Sequence, residues 1–321
     1  MRTYKKELVS VIVPSFNHGK YIDKTIKSVM NQTYENIELI VIDDKSSDNS
    51  IDIIKSLESD IKNRFDNYQF IFKDTNLGLT DSLNKGLYLA KGKYFTYIQS
   101  DDVMHKDKIY LSVETFKKLN EDYSFIFSDV FFIDEKDSLT YYISEGKKFD
   151  TWMKLMRYHY PWLNSKDVCH YRFLIRGNFI PAMGNFFRKR WLEKVNGWSE
   201  FLYYKDKRLK FINEDYPMWL KLSKVSKFYF LDNQLAYFRI HKKNTSTTRA
   251  KDSNIEVLYL LLNEYEYCKE NGYIKDLEIN LFKYLKRAKI SLKEKVKILT
   301  EYNLLKDFIK WRLRKSVPKF S

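Results

Sequence analysis

Two adjacent aspartates, Asp101 and Asp102, follow the apolar run FTYIQS in this sequence of 321 residues. Like charges repel, so a chain that leaves a buried strand would ordinarily carry Gly, Asn or Ser at such a point. Carboxylate oxygens are preferred ligands of Mg²⁺ and Mn²⁺, and a dication placed between two acids and a diphosphate would make the pair tolerable. The alternative is that one aspartate caps a helix that begins near Lys106 while its neighbour is solvated. The pair by itself favours this capping interpretation.

The turn after the first apolar run offers no other means of binding a diphosphate. Dinucleotide-binding folds and P-loop enzymes hold phosphates on glycine-rich turns, whose backbone N–H groups face the anion. Here the turn reads PSFNHGK, with one glycine and neither a GxGxxG nor a GxxxxGK[ST] pattern. If a nucleotide binds at this turn, a divalent cation is the remaining economical way to neutralise its charge.

Short runs rich in β-branched and aromatic residues alternate with helical patterns over the first 135 residues. The predicted strands are LVSVIVPSF, IELIVIDD, YQFIFKD, YFTYIQS and FIFSDVFFID. This alternation predicts an α/β fold with a mostly parallel sheet flanked by helices, and the nearly continuous apolar runs predict strands that are buried on both faces. Ligands of open parallel sheets lie beyond the carboxyl ends of the strands. The polar residues that follow each run should therefore share one edge of the sheet.

Five segments, taken in order, resemble a known family: VSVIVPSFN, IELIVIDDKSSDNS, NLGLTDSLNKGLYLAKGKYFTYIQSDD, NEDYPMWLKLS and YFRIHKKNTS. Together they resemble the family 2 glycosyltransferases over residues 8–246, about three quarters of the chain. The resemblance implies the GT-A fold, a Rossmann-like architecture of nucleotide-diphospho-sugar transferases, and an inverting, metal-assisted sugar transfer. It further implies a UDP-linked donor and Mn²⁺ or Mg²⁺. The acceptor would be a hydroxyl of a glycan or a polyprenyl-linked glycan, and the lysine-, asparagine- and isoleucine-rich composition favours bacterial capsule or lipopolysaccharide assembly.

The resemblance also assigns roles to the residues at matching positions. The residues expected to contact the nucleotide sugar are Pro14, Ser15, Phe16, Asn17, Asp44, Asn76, Gly78, Asp101 and Glu214. Within this set, Asp44 would bind the base, Asp101 would assist the metal or meet the ribose, and Glu214 would meet the acceptor.

Three further residues are expected to carry the chemistry. Asp102 would be the direct metal ligand, His241 would approach the metal or the diphosphate, and Asp215 would be the general base. The sequence departs from the family at two positions. Gln99 stands where many members carry the first acid of a D-x-D-D motif, and Leu83 stands where an arginine often contacts the diphosphate.

Each assignment has an ordinary structural alternative. Asp44 and the turn from Asn76 to Gly78 could be simple turn residues, the acids at 214 and 215 could be first-turn acids favoured by a helix dipole, and His241 could be a surface histidine. The joint order and spacing of the segments favour the functional interpretation.

The domain prediction separates a basic C-terminal region from the rest. Residues 1–250 are predicted as the GT-A domain, with a nucleotide-binding half (1–135) and an acceptor-binding half (136–250), and residues 251–321 as a helical extension. Residues 283–321 carry thirteen basic and three acidic residues, a net charge of +10 out of +15 for the whole chain. Such a tail favours an anionic partner. We expect it to bind an anionic membrane surface, with a solvated helical face or a homo-oligomer contact as alternatives.

Two rival functions come from other classes of protein. A nucleic-acid-binding protein would use the basic tail, but no RRM, KH or zinc-finger pattern is present, so nucleic acid is the less favoured partner. A catalytically silent carbohydrate-binding subunit of the same fold is disfavoured by the presence of Asp102 and Asp215. No apolar stretch approaches the roughly eighteen residues that span a bilayer, and two cysteines favour a reducing compartment. The sequence thus predicts a cytoplasmic protein, peripheral on the inner face of the cytoplasmic membrane.

Overall fold

The computed structural model of the chain describes residues 6–164, 169–242, 244, 248 and 250–316, of which 250–252 and 314–316 are described without side chains. The chain divides into two compact units. The larger unit comprises Met1–Leu174, Asn178–Glu200 and Glu214–Lys242, and the smaller unit comprises Ile175–Gly177, Phe201–Asn213 and Lys243–Ser321.

The strands are β1 (Val9–Ser15), β2 (Ile37–Asp43), β3 (Asn67–Phe72), β4 (Tyr94–Tyr97), β5 (Val103–Met104), β6 (Tyr123–Ile133), β7 (Tyr142–Ser144), β8 (Lys147–Phe149), β9 (Asn185–Arg188), β10 (Phe201–Tyr204), β11 (Lys207–Lys210) and β12 (Lys227–Arg239). The helices are α1 (Ile22–Met30), α2 (Ser50–Ser56), α3 (Glu58–Arg64), α4 (Leu79–Leu89), α5 (Lys108–Lys118), α6 (Trp152–His159), α7 (Tyr171–Leu174), α8 (Lys189–Lys194), α9 (Asp215–Ser223), α10 (Ala250–Asn263), α11 (Tyr265–Glu270), α12 (Ile274–Arg287), α13 (Leu292–Glu301) and α14 (Leu305–Ser316). Short 3-10 helices lie at Pro161–Asn164 and Ala182–Gly184.

The larger unit is built on one eight-stranded sheet, in the order β3-β2-β1-β4-β9-β6-β12-β5. Strand β1 pairs in parallel with β2 and β4, β2 with β3, and β6 with β12. Strand β9 is antiparallel to β4 and β6, and β5 is antiparallel to β12. Because two successive antiparallel pairings restore the direction, β6 and β12 run the same way as β4. The predicted mostly parallel α/β sheet is confirmed, and six strands end at one edge.

The central strands are buried because helices cover both faces of a parallel sheet. Every residue of β1 and β2 is buried. Helix α1 presents Ile22, Ile26 and Val29 at helical spacing, and these side chains belong to the same hydrophobic cluster as Val11 and Leu39. The periodicity that predicted this helix is thus the one that packs it against the sheet.

Aromatic residues fill another part of the core of the larger unit. The ring of Phe125 on β6 stacks on Phe187 of β9 at 4.6 Å and on Trp219 of α9 at 4.5 Å between centroids. Large aromatic side chains bury much area, and removing one from a packed core costs about 3–5 kcal/mol. Part of the high aromatic content therefore serves packing, and the stack fixes the helix that begins at Asp215.

The smaller unit joins a β10–β11 hairpin to the C-terminal helices. Lys207 of β11 donates hydrogen bonds to Tyr259 of α10 and to Glu294 of α13, and Asn263 of α10 donates to the carbonyl of Tyr203 at 2.8 Å. The segment Phe201–Asn213, predicted to lie in the first domain, is grouped by these bonds with the helices that follow residue 250. The β10–β11 hairpin and helix α10 are distant in sequence, so no local sequence pattern predicts that they pack together.

Candidate active site

Three potential metal ligands from distant parts of the chain meet in the larger unit. The ligand atoms of His18, Asp101 and His241 all lie within 4.8 Å of one another. His241 Nε2 is 3.0 Å from Asp101 Oδ2, and His18 Nε2 is 3.8 Å from the same oxygen. Asp101 and His241 are buried, and His18 is half-buried. One carboxylate and two imidazoles are therefore close enough to bind the same ion.

The sheet topology explains this convergence. His18 follows β1, Asp101 follows β4 and His241 follows β12, and these three strands end at the same edge of the sheet. The His18 ring is further fixed by Ser100, whose Oγ lies 2.8 Å from Nδ1. When Nδ1–H donates to that hydroxyl, the lone pair of Nε2 is available for a ligand.

The electrostatics of the cluster suit a divalent cation. Burial alone would raise the pKa of Asp101, but the hydrogen bond from His241 and the charges of His18 and His241 outweigh it and hold the pKa below the ordinary value of an aspartate. An ionised carboxylate with two imidazoles is a donor set that Mn²⁺ and other transition-metal ions accept, whereas Mg²⁺ favours oxygen ligands. The residues present therefore fit a bound metal ion.

Asp102, the aspartate predicted to ligate the metal directly, is not one of the three grouped side chains. Its Oδ1 accepts a hydrogen bond from the backbone N–H of Arg239 at 2.9 Å, and its carbonyl accepts one from Thr25 Oγ1 at 2.7 Å. Burial, followed by the charge of Asp101, raises the pKa of Asp102 well above its ordinary value. The carboxylate that the structure groups with the two histidines is that of Asp101, while the assignment of Asp102 as a ligand stays a prediction.

A buried lysine lies beneath the aspartate pair. Lys108 donates from Nζ to the carbonyl of Met183 at 2.7 Å. Burial lowers the pKa of Lys108 to about 7, and the charge of Asp102 opposes that shift. The side chains of Asp102 and Lys108 thus share one buried environment.

Arg239 braces the loop that carries the aspartates. Its side chain is fully buried; Nε donates to the carbonyl of Asp101 at 2.7 Å and Nη1 donates to the carbonyl of Asp134 at 2.9 Å. Its Nη2 is 2.6 Å from Asp137 Oδ1, and the guanidinium lies 4.8 Å from the centroid of the Tyr21 ring. One side chain therefore ties the metal-site loop to the turn after β6 and to the start of α1.

The first predicted nucleotide-contacting loop is held by polar side chains of the next loop. Ser15 donates to Asp43 Oδ2 at 2.9 Å, and the N–H of Asn17 donates to Ser46 Oγ at 2.8 Å. Asn17 adopts a left-handed backbone, with φ of 54°, and the neighbouring Phe16 is 43% exposed. Pro14 and Ser15 are buried in β1, so Phe16 and Asn17 are the members of this group that face outward.

Asp44 holds the turn that contains Asn76 and Gly78. Its two oxygens accept the backbone N–H groups of Leu77 at 2.9 Å and Gly78 at 2.6 Å, and Lys73 Nζ lies 3.1 Å from Oδ1. Gly78 has φ of 95°, a conformation that favours glycine, and Asn76 is exposed. The geometry gives Asp44 a structural task, and its predicted contact with the base stays a prediction.

Asp215, the predicted general base, opens helix α9. Its Oδ1 accepts the N–H of Tyr216 at 2.7 Å, and its Oδ2 accepts a hydrogen bond from Asn178 Nδ2 at 3.2 Å. Burial raises the pKa of Asp215 above its ordinary value, although both hydrogen bonds act in the opposite direction. Glu214, directly before the helix, is buried. A carboxylate with a raised pKa is a stronger base than an ordinary aspartate.

Tyr97 connects the two halves of the site. Its ring is fully buried on β4, and among the described residues its hydroxyl has no hydrogen-bond partner. Burial raises the pKa of Tyr97 well above its ordinary value, and the charges of Glu214 and Asp215 add to this effect, so both acids lie near the ring. Tyr97 and Asp101 are four residues apart, a separation that an extended chain covers in at most about 14 Å. Asp215, the predicted base, and the cluster of His18, Asp101 and His241 are therefore both linked to β4 and the loop that follows it.

Sequence reasoning missed three residues of this site. His18 stands in the quoted segment PSFNHGK, and a second histidine beside a strand-end loop is a signal that could have been paired with His241. Arg239 precedes His241 by two positions, but nothing in the sequence shows that it is buried. Asn178 carries no motif that would distinguish it from a loop asparagine.

Known proteins resemble this chain in sequence over most of its length. The sequence profile of glycosyl transferase family 2 matches residues 10–180. An uncharacterized glycosyltransferase of Rickettsia prowazekii is 28% identical over 296 residues, covering 85% of this chain and 84% of the relative. An uncharacterized glycosyltransferase of Haemophilus influenzae is 30% identical over 253 residues, covering 77% of this chain and 70% of the relative.

Solved structures share the fold at low sequence identity. TarS from S. aureus, crystallised with UDP-GlcNAc, superposes with a TM-score of 0.62 at 18% identity, covering 94% of this chain and 80% of TarS residues 1–349. The mannosyltransferase PcManGT from Pyrobaculum calidifontis, in complex with GDP-Man and Mn²⁺, gives a TM-score of 0.58 at 14% identity, covering 96% and 84% of the two chains. The fold is therefore that of the GT-A glycosyltransferases, and the chain is a glycosyltransferase that belongs to family 2.

Proposed function

We propose that the protein transfers a sugar from a nucleotide-diphosphate sugar to a hydroxyl of a glycan or polyprenyl-linked glycan, with inversion at the anomeric carbon. The observation that carries this proposal is the pair of groups at the end of β4. His18, Asp101 and His241 could together hold a cation at that end, and the charge of Asp215, a carboxylate with a raised pKa, acts on Tyr97, four residues before Asp101. Such a transfer needs both elements, a counter-charge for the leaving diphosphate and a base for the attacking hydroxyl.

A UDP-linked sugar is the first donor to test. TarS was crystallised with UDP-GlcNAc and PcManGT with GDP-Man, so two proteins of this fold bind nucleotide sugars with different bases. In this chain the exposed ring of Phe16 and the turn held by Asp44 are the groups we assign to the nucleotide. A ring offers a face for stacking, and a fixed turn presents backbone polar groups to the base or ribose.

The metal that we propose is Mn²⁺, held by Asp101, His241 and His18. The two imidazole donors favour it over Mg²⁺, which demands oxygen ligands. When bound, the cation supplies Lewis-acid stabilisation for the negative charge that develops on the departing diphosphate. The chain contributes the orientation of the ligands, through Ser100 for His18 and through Arg239 for the loop of Asp101.

Asp215 is the base in this proposal. Its carboxylate takes the proton of the acceptor hydroxyl while the acceptor oxygen bonds to the anomeric carbon. The bond from that carbon to the diphosphate oxygen breaks in the same event, and its electron pair leaves with the nucleotide diphosphate. A positioned general base contributes about 10²- to 10⁴-fold to the rate. Asn178 and the N–H of Tyr216 fix the two oxygens of the carboxylate for this task.

The setting that we propose is a membrane surface on which bacterial glycans are assembled. No helix in the described part of the chain is long and apolar enough to cross a bilayer. A lipid-linked acceptor would then be met by peripheral association. Capsule and lipopolysaccharide precursors are the acceptor classes to examine first.

A donor screen tests the proposal. The full chain is incubated with Mn²⁺ and a panel of UDP-, GDP- and dTDP-sugars, with and without a glycan acceptor, and the released nucleotide is measured. We expect release from one class of donor that rises when the correct acceptor is added, and NMR of the product should show the inverted anomeric configuration. Binding of a donor without release under all conditions would support the silent-subunit alternative, and a retained configuration would contradict the single-displacement mechanism.

A further inference from the structure

The last two helices expose apolar side chains at a regular spacing. On α13, Leu292 is 78% exposed and Val296 is 44% exposed; on α14, Leu305 is 39% exposed and Ile309 is 49% exposed. Residues four positions apart on a helix are neighbours on one face. Each helix therefore carries an apolar stripe on its outer side, and we call these four residues with the lysines that follow them the outer C-terminal face.

A lysine follows each of the four apolar residues. Lys293 and Lys297 lie on α13, Lys306 and Lys310 lie on α14, and all four are exposed. One residue corresponds to about 100° around a helix, so each lysine lies beside the apolar stripe and not across from it. The same apolar-basic pair recurs four times along two helices.

Other apolar residues in this region are buried in the core of the smaller unit. Ile298, Leu299 and Leu304 are buried, and the ring of Phe308 contacts Phe282 of α12 at 5.4 Å between centroids. The exposed stripes are therefore not a remnant of an unfilled core in the smaller unit. Rows of exposed apolar side chains flanked by lysines are typical of helices that bind a surface.

We propose that the outer C-terminal face binds the surface of an anionic lipid bilayer. Helices that lie in the interface combine an apolar stripe that enters the acyl boundary with lysines that meet anionic headgroups, which is the pattern of this face. Residues 283–321 also carry a net charge of +10, so attraction to an anionic surface extends beyond the four lysines. This assignment does not depend on the identity of the donor or of the metal.

Charge disfavours the other occupants. A second copy of the chain would bring two strongly cationic faces together, and like charges across an interface oppose association. A nucleic acid would use the lysines through its phosphates but would gain little from leucine, valine and isoleucine, since sequence-independent binding is electrostatic. The bilayer is the partner that uses both parts of the pattern.

Co-sedimentation of the full chain with vesicles tests the proposal. The vesicles are phosphatidylcholine alone or an equimolar mixture with phosphatidylglycerol. We expect binding to the anionic vesicles and at least a tenfold weaker binding to the neutral ones. The double variant Leu305→Ser and Ile309→Ser, and separately the double variant Lys306→Glu and Lys310→Glu, should each lose at least tenfold in affinity for the anionic vesicles.

Matched controls separate this surface from general effects of charge or apolarity. The variant Lys55→Glu and Lys62→Glu makes the same change of charge on exposed lysines of α2 and α3, and Tyr88→Ser with Val225→Ser removes two exposed apolar groups elsewhere. Both controls should bind as the unmodified chain does.

Equal binding by the C-terminal variants and the controls would overturn the proposal. The proposal would also be overturned if the chain did not bind vesicles but self-associated, and if Leu305→Ser with Ile309→Ser abolished that self-association. A third contradicting result would be RNA binding that is lost in the lysine variant and kept in the leucine–isoleucine variant. Nucleotide release measured without vesicles should be unchanged in the C-terminal variants, so a failure of the donor screen and a failure of this proposal remain distinguishable.

Discussion

His241 Nε2 lies 3.0 Å from Asp101 Oδ2, although 140 residues separate the two positions. The contact links the loop after β4 to the end of β12, the last strand of the larger unit. With His18 at 3.8 Å from the same carboxylate oxygen, the arrangement is either a metal site or a hydrogen-bonded histidine pair around an acid. The metal interpretation makes predictions that the alternative does not.

Arg239 should position the metal ligands and not merely stabilise the fold. We expect Arg239→Lys to weaken Mn²⁺ binding by about 10- to 100-fold, as changes to residues that orient metal ligands commonly do. Arg239→Ala should weaken it further and also lower stability, because the carbonyl of the buried Asp101 would lose the hydrogen bond from Arg239, at about 1–3 kcal/mol. Electron paramagnetic resonance measures free Mn²⁺, and thermal denaturation measures stability.

The matched control is Arg190→Lys, which changes an exposed arginine paired with Glu121. It should leave Mn²⁺ affinity as it is. If Arg239→Lys lowered thermal stability and left Mn²⁺ affinity unchanged, Arg239 would stabilise the fold without positioning the metal ligands.

Asp215 should be required for the chemical step and dispensable for donor binding. Asp215→Asn keeps the hydrogen bond to Tyr216 possible while it removes the basic oxygen, so we expect kcat to fall by about 10²- to 10⁴-fold with little change in nucleotide affinity. Isothermal titration with the nucleotide and a transfer assay measure the two quantities. Asp232→Asn, at an exposed aspartate, is the control and should keep full activity. Full transfer by Asp215→Asn would exclude this base.

The pH dependence of transfer should report the environment of Asp215. Burial raises the pKa of Asp215, so the active, ionised form is lost as the pH falls through a value above the ordinary aspartate pKa of about 3.9. Asn178→Ala removes a hydrogen bond that lowers this pKa, and the acid limb of kcat/KM should therefore move to higher pH. A rate that falls equally at every pH would mean that Asn178 serves packing alone.

The turn at Gly78 should control nucleotide affinity through its conformation. Gly78→Ala forces a residue with a Cβ into φ of 95°, a strain of about 1–3 kcal/mol, and should weaken UDP binding. Asp44→Asn should act in the same direction, because the amide nitrogen that replaces one carboxylate oxygen is a donor and cannot accept the N–H that this oxygen holds. Gly146→Ala, at φ of 76° in another turn, introduces comparable strain and should not alter UDP affinity. If only Asp44→Asn weakened binding, the carboxylate would act on the base directly.

Local sequence patterns predicted much of the fold and some of the candidate site residues. The apolar runs predicted β1 to β4 and β6, since strand burial on both faces leaves a continuous signature. The antiparallel strand β9, which inserts between β4 and β6, could not be predicted because its partners are set by tertiary packing. The same limit applies to the site. The motifs selected Asp101, Asp102, Asp215 and His241 as candidates, whereas the grouping of Asp101 with His241 and His18 depends on tertiary packing, and Arg239 contacts a residue 138 positions away.

A comparison of the Mn²⁺ affinities of Asp101→Asn and Asp102→Asn tests whether Asp101 is the aspartate that binds the metal. Both changes replace a carboxyl group with an amide of nearly the same size at adjacent positions, so they test which of the two carboxyl groups serves the metal. We predict that Asp101→Asn and His241→Asn lower Mn²⁺ affinity at least tenfold, while Asp102→Asn, whose amide oxygen can still accept the Arg239 N–H, lowers it much less. Unchanged Mn²⁺ binding by Asp101→Asn, together with its loss in Asp102→Asn, would contradict the account.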